Sequence, residues 1–298
     1  MLKNIPLLKH QKPMLKTIAK ILAGSVKKAN FDIPGEVRSD ENIQKISAKF
    51  TMTPPESIVN KYHQWLNCTA KYQNTVAPHL YPQWAIPELF KLGESLSLPF
   101  HKILNQGCKI KVNGDLPKNQ NLMGKVQLLD IKEHDDKIRI NQKIWTGPKE
   151  NPIALEAEIY AVILKSNKKS FKKKRKNSPI DISALKYISS VFVSRDDARN
   201  YGLISGDINP IHMSKAMAKL FGLNNSLMHG FGLKGIIFEE LERHGLQISE
   251  LELKFLRPVY LDKNIHIYVQ KNQENYGLKV LDEDKKSIHL LGSFIVKT

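Results

Sequence analysis

The C-terminal third of the chain alternates apolar and polar residues in four short runs: "ELELKFLRPVYL" (250–261), "NIHIYVQKNQ" (264–273), "YGLKVLDED" (276–284) and "KSIHLLGSFIVKT" (286–298). A period of two marks strands with one buried face. Ahead of them, "GFGLKGIIFEELER" (230–243) places Phe231, Leu233, Ile236, Ile237, Phe238 and Leu241 almost all round a helix. A helix so apolar must be buried. Successive antiparallel strands after such a helix predict a sheet wrapped around it. Before it lies "KAMAKLFG" (215–222), with helical spacing and a glycine stop at Gly222.

The same order of features occurs twice. "FTMTPPESIVNKYHQWLN" (50–67) parallels "VFVSRDDARNYGLISGD" (191–207): a β-branched strand, a Ser or Thr cap, an acidic first turn and a short helix. "LPFHKILNQGCKIKVNGDLPKN" (98–119) parallels "HGLQISELELKFLRPVYLDKN" (244–264), again about 140 residues apart. This offset predicts a duplicated α+β unit. Pro87, inside a helical pattern of the first copy, predicts a broken or kinked helix with room for a long apolar ligand.

Charge marks the division between the copies. The formal net charge is +17, and "KSNKKSFKKKRKN" (165–177) alone holds eight Lys or Arg and no acid. Such a block repels itself and reads as an extended, solvated linker, or as a dock for something acidic. The expected organisation is therefore a unit over 1–164, a Lys-rich linker over 165–180 and a second unit over 181–298. The basic, partly amphipathic N-terminal stretch 1–28 reads as a terminal helix packed on the domain, in preference to a transit peptide or a surface helix. No apolar run approaches 18 residues, so no transmembrane helix is expected. Cys68 and Cys108 stand in no metal or redox spacing, which suits a reduced, cytoplasmic protein.

Several motifs fall away on context. "GFGLKG" matches G-x-G-x-x-G but follows a helix and a loop, not a strand. Ten histidines are scattered without an H-x-x-x-H pair, so no metal is expected. "GLISG" (202–206) is out of register with a serine-hydrolase elbow. What survives is "SGDINPIHMS" (205–214). Asn209 is a good N-cap and Pro210 suits the first helical position, which puts His212 in the first turn and Asp207 on the loop leading in. The dipole of the following helix disfavours an imidazolium at His212 and favours an ionised Asp207. Two acceptors around one water can polarise it for attack, and one can return the proton.

These residues, from Tyr201 through Gly206-Asp207-Ile208-Asn209-Pro210-Ile211-His212 to Ala218, resemble the signature of the MaoC-like hydratase and dehydratase family. The resemblance implies a hot-dog fold, here double, with each long helix wrapped by an antiparallel sheet. It implies reversible hydration of trans-2-enoyl thioesters to (R)-3-hydroxyacyl thioesters, carried on coenzyme A or an acyl carrier protein, with no cofactor. Asp207 and His212 would then activate water, Asn209 would brace the loop, and the amide of Gly230 in "MHGFG" would hold the thioester oxygen. The first copy carries "HQWLNCTAKY" (63–72) where the catalytic loop would stand, so it is expected to extend the acyl site without chemistry of its own. Leu261 and Asp262 depart from the Pro-Gly-Asp-like turn of many relatives, and Arg257 nearby could meet a coenzyme A phosphate.

A different class of function is a non-catalytic thioester-binding or nucleic-acid-binding protein of the same fold, prompted by the Lys-rich run. That run has no interleaved aromatic beyond Phe171, so nucleic acid is not the expected partner. A chain with two units pairs them internally and is expected as a monomer or a homodimer.

Overall fold

Strands with one face turned to the core build the frame. The structure is a computed structural model and describes residues 7, 9–12, 14–16, 40–94, 103–165, 180–220 and 222–297. The Lys-rich run from 166 onward, and most of the N-terminal stretch, lie outside the described residues. Among the described residues the strands are β1 (Ser47–Met52), β2 (Ile103–Val112), β3 (Leu122–Glu133), β4 (Lys137–Gly147), β5 (Leu155–Leu164), β6 (Lys186–Val193), β7 (Ile248–Phe255), β8 (Lys263–Asn272), β9 (Asn275–Leu281) and β10 (Ile288–Val296). They form one sheet in the order β1-β3-β4-β5-β2-β7-β10-β9-β8-β6, with every neighbouring pair antiparallel.

From its centre outward the sheet repeats itself: β2-β5-β4-β3-β1 on one side and β7-β10-β9-β8-β6 on the other. The two parallel sequence segments thus supply the central pair, with Cys108 opposite Leu253 and Ile110 opposite Leu251. This is a double hot-dog fold. Helices α1 (Asp40–Lys45), α2 (Glu56–Trp65) and α3 (Pro82–Glu94) belong to the first half, and α4 (Arg195–Ser205), α5 (Pro210–Met213), α6 (Lys215–Leu220) and α7 (Gly230–Arg243) to the second. One contiguous core joins Leu80, Trp84 and Ile110 of the first half to Ile236, Phe238 and Leu253 of the second.

Three sequence expectations change here. Helix α3 runs unbroken from Pro82 to Glu94 with Pro87 inside it. Pro87 sits only five residues after the start, so the carbonyl it cannot satisfy belongs to the first turn. The Thr53 hydroxyl does not cap α2; it bonds Asn121 Oδ1 at 2.6 Å, and Pro55 holds the cap position. Helix α7 is buried as its pattern predicts, yet it takes Lys234 and Glu239 into the core with it. Glu239 accepts from Tyr72 Oη at 2.9 Å and from His79 Nε2 at 2.8 Å, while Tyr62 Oη lies 2.8 Å from His79 Nδ1. These partners all come from the first half, so a buried polar chain ties α7 to it. An unpaired carboxylate there would cost several kcal/mol (~3–5 on losing one partner).

Candidate active site

The chain leaves β6 through Ser194, which caps α4. Ser194 Oγ accepts from the Asp197 amide at 3.1 Å, and Asp197 Oδ2 accepts from the Ser194 amide at 2.8 Å. This reciprocal capping box fixes where α4 begins. Its end is fixed by Gly206, whose φ of +78° is a left-handed conformation that glycine adopts without strain. A side chain at 206 would also collide with the N-terminal segment, since an added Cβ would lie 2.7 Å from Gln11 Oε1 and 2.9 Å from Met14 Cβ.

That turn launches the loop. The Asp207 amide donates to Ser205 Oγ at 3.2 Å, and Ser205 Oγ donates to the Tyr201 carbonyl at 2.8 Å. Asn209 is the N-cap of α5: its Oδ1 accepts from the Ile211 amide at 3.3 Å, and Pro210 takes the first helical position. His212 follows within the first turn. Helix α5, however, is only four residues long and ends at Ser214 in an extended conformation. The dipole acting on His212 is therefore that of a single turn.

His212 Nδ1 lies 2.9 Å from the Leu227 carbonyl. A carbonyl only accepts, so Nδ1 carries the proton and Nε2 keeps a lone pair. Across from it stands His229, the N-cap of the buried helix α7 and itself only 2% exposed. The two imidazoles are stacked, with centroids 3.8 Å apart and planes at 28°. By the same reasoning, His229 Nε2 donates to the Asp207 carbonyl at 2.8 Å. Burial, reinforced by neighbouring His212, holds the His229 imidazole down to about 3. It is a neutral donor that pins the loop.

Asp207, His212 and His229 each bring one donor atom into a common space, all within 4.8 Å of one another. Asp207 and His212 are half-buried. One carboxylate and two imidazoles are also the one group among the described residues that converges closely enough for a metal ion. Tyr201 closes the inner side, its ring 5.0 Å from that of His229.

Gly230 opens α7 directly beside this cluster. The N–H groups of a first helical turn have no acceptor within the helix, so they face outward as donors. An added Cβ at Gly230 would lie 2.7 Å from the Phe255 ring, so a side chain there requires that ring to move. Arg257 lies elsewhere: it is exposed beyond β7, and its Nη1 donates to the Ile288 carbonyl at 3.0 Å. In the turn after it, Asp262 itself takes the positive φ of +61° and accepts from Arg195 Nε at 2.8 Å.

Asp207, Asn209, His212 and Gly230 thus stand on or beside one loop and one helix start, where the sequence pattern places them. Sequence reasoning missed His229, whose position directly before the glycine at a helix N-terminus was the available signal. It also missed Gln11, whose amide donates to the carbonyls of Leu203 at 3.1 Å and Ile204 at 2.5 Å. No local pattern links residues so far apart.

Residues 166–290 match the family model described as the MaoC like domain. A curated relative, 3-hydroxyacyl-thioester dehydratase X of Mycobacterium tuberculosis, is 28% identical over 92 residues, which is 31% of this chain and 33% of the relative. The chain thus matches about a third of that relative's length. Among solved structures, a MaoC-like dehydratase from Phytophthora capsici superposes with a TM-score of 0.70 at 14% identity, over 87% of this chain and 99% of that one. HtdX of Mycobacterium tuberculosis superposes with a TM-score of 0.66 at 17% identity, over 84% of this chain and 99% of its own. At such identities the likeness is one of fold.

Proposed function

We propose, from the match of residues 166–290 to the MaoC like domain model, that the chain is a hydro-lyase that adds water reversibly to trans-2-enoyl thioesters of coenzyme A or an acyl carrier protein. The observation carrying this reading is the convergence of Asp207 and His212 within 4.8 Å beside the N-terminus of a buried helix.

In the hydration direction, a water between Asp207 and His212 loses a proton to one of them as its oxygen bonds to the β-carbon. The fixed Nδ1 proton leaves His212 Nε2 able to accept. Electron density moves through the double bond onto the thioester oxygen, and the Gly230 amide stabilises that charge because it is already oriented before reaction begins. The proton then goes to the α-carbon, completing the 3-hydroxyacyl thioester, and dehydration runs the same steps backward. Asn209 braces the loop through its cap, and His229 holds the Asp207 backbone. The first half, over 1–164, lacks the motif and would serve the acyl chain, joined to the second half over 181–298 by the basic linker. Arg257, being exposed, is available to a coenzyme A phosphate. A cytoplasmic setting fits the unpaired cysteines Cys68 and Cys108, both buried.

The test is the loss of conjugated-enone absorbance when crotonyl-CoA is mixed with the protein. Asp207→Asn and His212→Gln should each slow it about 10²- to 10⁴-fold, the range for removing a positioned acid or base, with circular dichroism unchanged. A wild-type protein inactive on enoyl thioesters of both carriers overturns the proposal. Matched acyl chains on the two carriers would rank them.

A further inference from the structure

Lys234 is the feature of α7 that neither the catalytic loop nor the sheet explains. It is fully buried, and its Nζ has no hydrogen-bond partner. Nζ lies 3.8 Å from the centroid of the Tyr81 ring and 5.3 Å from that of Phe231. The Tyr81 hydroxyl is likewise buried without an oxygen or nitrogen partner, and its polar neighbour is the Cys108 thiol, a weak acceptor. Two adjacent buried donors with no strong acceptor are rare, because each forfeits its hydration for little return. Aromatic faces soften an ammonium's loss but leave its three N–H groups unanswered.

Position says what could answer them. Lys234 lies one turn beyond Gly230 on α7, about 6 Å along the axis. Helical side chains lean toward the N-terminus, which agrees with Nζ reaching back to Phe231 of the first turn. Tyr81 comes from the first half, the side expected to receive the acyl chain. The Cys108 thiol is a hydrogen-bonding neighbour of Tyr81 and feels the charge of Lys234.

We infer that Lys234 and Tyr81 form the far end of the acyl site and take a carboxylate at the tip of a short acyl chain. A carboxylate has two oxygens for the two unanswered donors, and Lys234 follows Gly230 by one turn on α7 with its Nζ reaching back toward the first turn. A plain alkyl chain leaves both donors unsatisfied. Burial brings Lys234 down to about 7, with Cys108 acting in the opposite direction, so the group stands between amine and ammonium and an arriving carboxylate favours its protonated form. The assignment rests on the thioester reading of the site, and binding of saturated esters separates the two.

Glutaryl-CoA and pentanoyl-CoA have matched chains and cannot be hydrated, so calorimetric titration reads recognition alone. The wild type should bind glutaryl-CoA at least about tenfold tighter than pentanoyl-CoA. Lys234→Met, which keeps the side chain's length and removes the amine, should reverse that order, and Tyr81→Phe should reduce the preference while keeping the ring. Lys234→Met should fold and melt no lower than the wild type. Equal or weaker binding of glutaryl-CoA by the wild type, or a preference that survives both substitutions, overturns the assignment. If crotonyl-CoA is not hydrated but the glutaryl preference is present and lost in Lys234→Met, the carboxylate site stands and the hydration reading falls.

Discussion

His229 and His212 sit ring against ring, and His229 cannot take a charge cheaply. His229 has committed its N–H to the Asp207 carbonyl and is walled in by Tyr201 and helix α7, so protonating it means placing an uncompensated charge in the core. His63 is in a similar position: its Nε2 accepts from the Ala77 amide at 3.1 Å, and burial, reinforced by Lys118 and His79, brings it to about 4. Both are near 6.5 in the unfolded chain. Below that value the unfolded state gains protons that the fold refuses, so stability is complete above about pH 6.5 and falls as pH drops toward 4. Each imidazole contributes a slope of about 1.4 kcal/mol per pH unit in that window. Urea midpoints at pH 7, 6 and 5 should therefore fall steadily, and a flat profile would show that these rings are protonated in the fold. Asp207, Asn209, Pro210 and His212 were readable at this scale because a cap, a first-turn proline and two acceptors lie within six residues. His229 was not, because its bond to the loop spans 22 positions and a lone histidine carries no pattern.

Elements were legible wherever one periodicity ruled a whole segment. Strands β7 to β10 and the buried helix α7 follow directly from alternation and from an apolar helical surface. The short pieces were not: α5 and α6 look like one helix in the sequence, and only the extended conformation of Ser214 separates them. That Lys234 and Glu239 go into the core with α7 was not legible, because the first-half residues that cover them, Tyr72, His79 and Tyr81, lie far away in the chain. Contacts from the N-terminal segment were equally hidden. Gln11 is buried and donates to two carbonyls at the end of α4, which are otherwise orphaned by the helix terminus. Asp207 follows two residues after that end, so the stiffness of its loop depends on this contact. Gln11→Leu retains the volume and removes the donor, at a cost of about 1–3 kcal/mol for the stranded acceptors. Amide exchange at Gly206 to Ile208 should accelerate and kcat on crotonyl-CoA should fall several-fold with little change in KM. Unchanged exchange and unchanged kcat would confine Gln11 to bulk packing.

The two halves, visible in sequence as a repeat, become one object through β2 and β7. The repeat predicted two similar units paired internally but not which strands join them, because antiparallel pairing of two distant strands is a tertiary choice that no local pattern encodes. At the seam, Lys109 pairs with Glu250 at 2.7 Å, and Gly107 faces Lys254. An added Cβ on Gly107 would approach the Leu253 carbonyl to 2.3 Å, so the backbones meet there only because the side chain is missing. Gly107→Ala must push the halves apart, which should cost about 1–3 kcal/mol by the measure of overpacked interiors. Tryptophan reports where the loss falls, because Trp65, Trp84 and Trp145 all lie in the first half, whereas far-ultraviolet circular dichroism reports both. With a continuous sheet, one core and the Glu239 chain across the boundary, the two signals should change together in urea for the wild type and shift together to lower midpoints in Gly107→Ala. A fluorescence transition separated from the dichroism transition in the wild type would mean that the seam holds two independently folding units, and the positioning of α7 by the first half would then have to be abandoned.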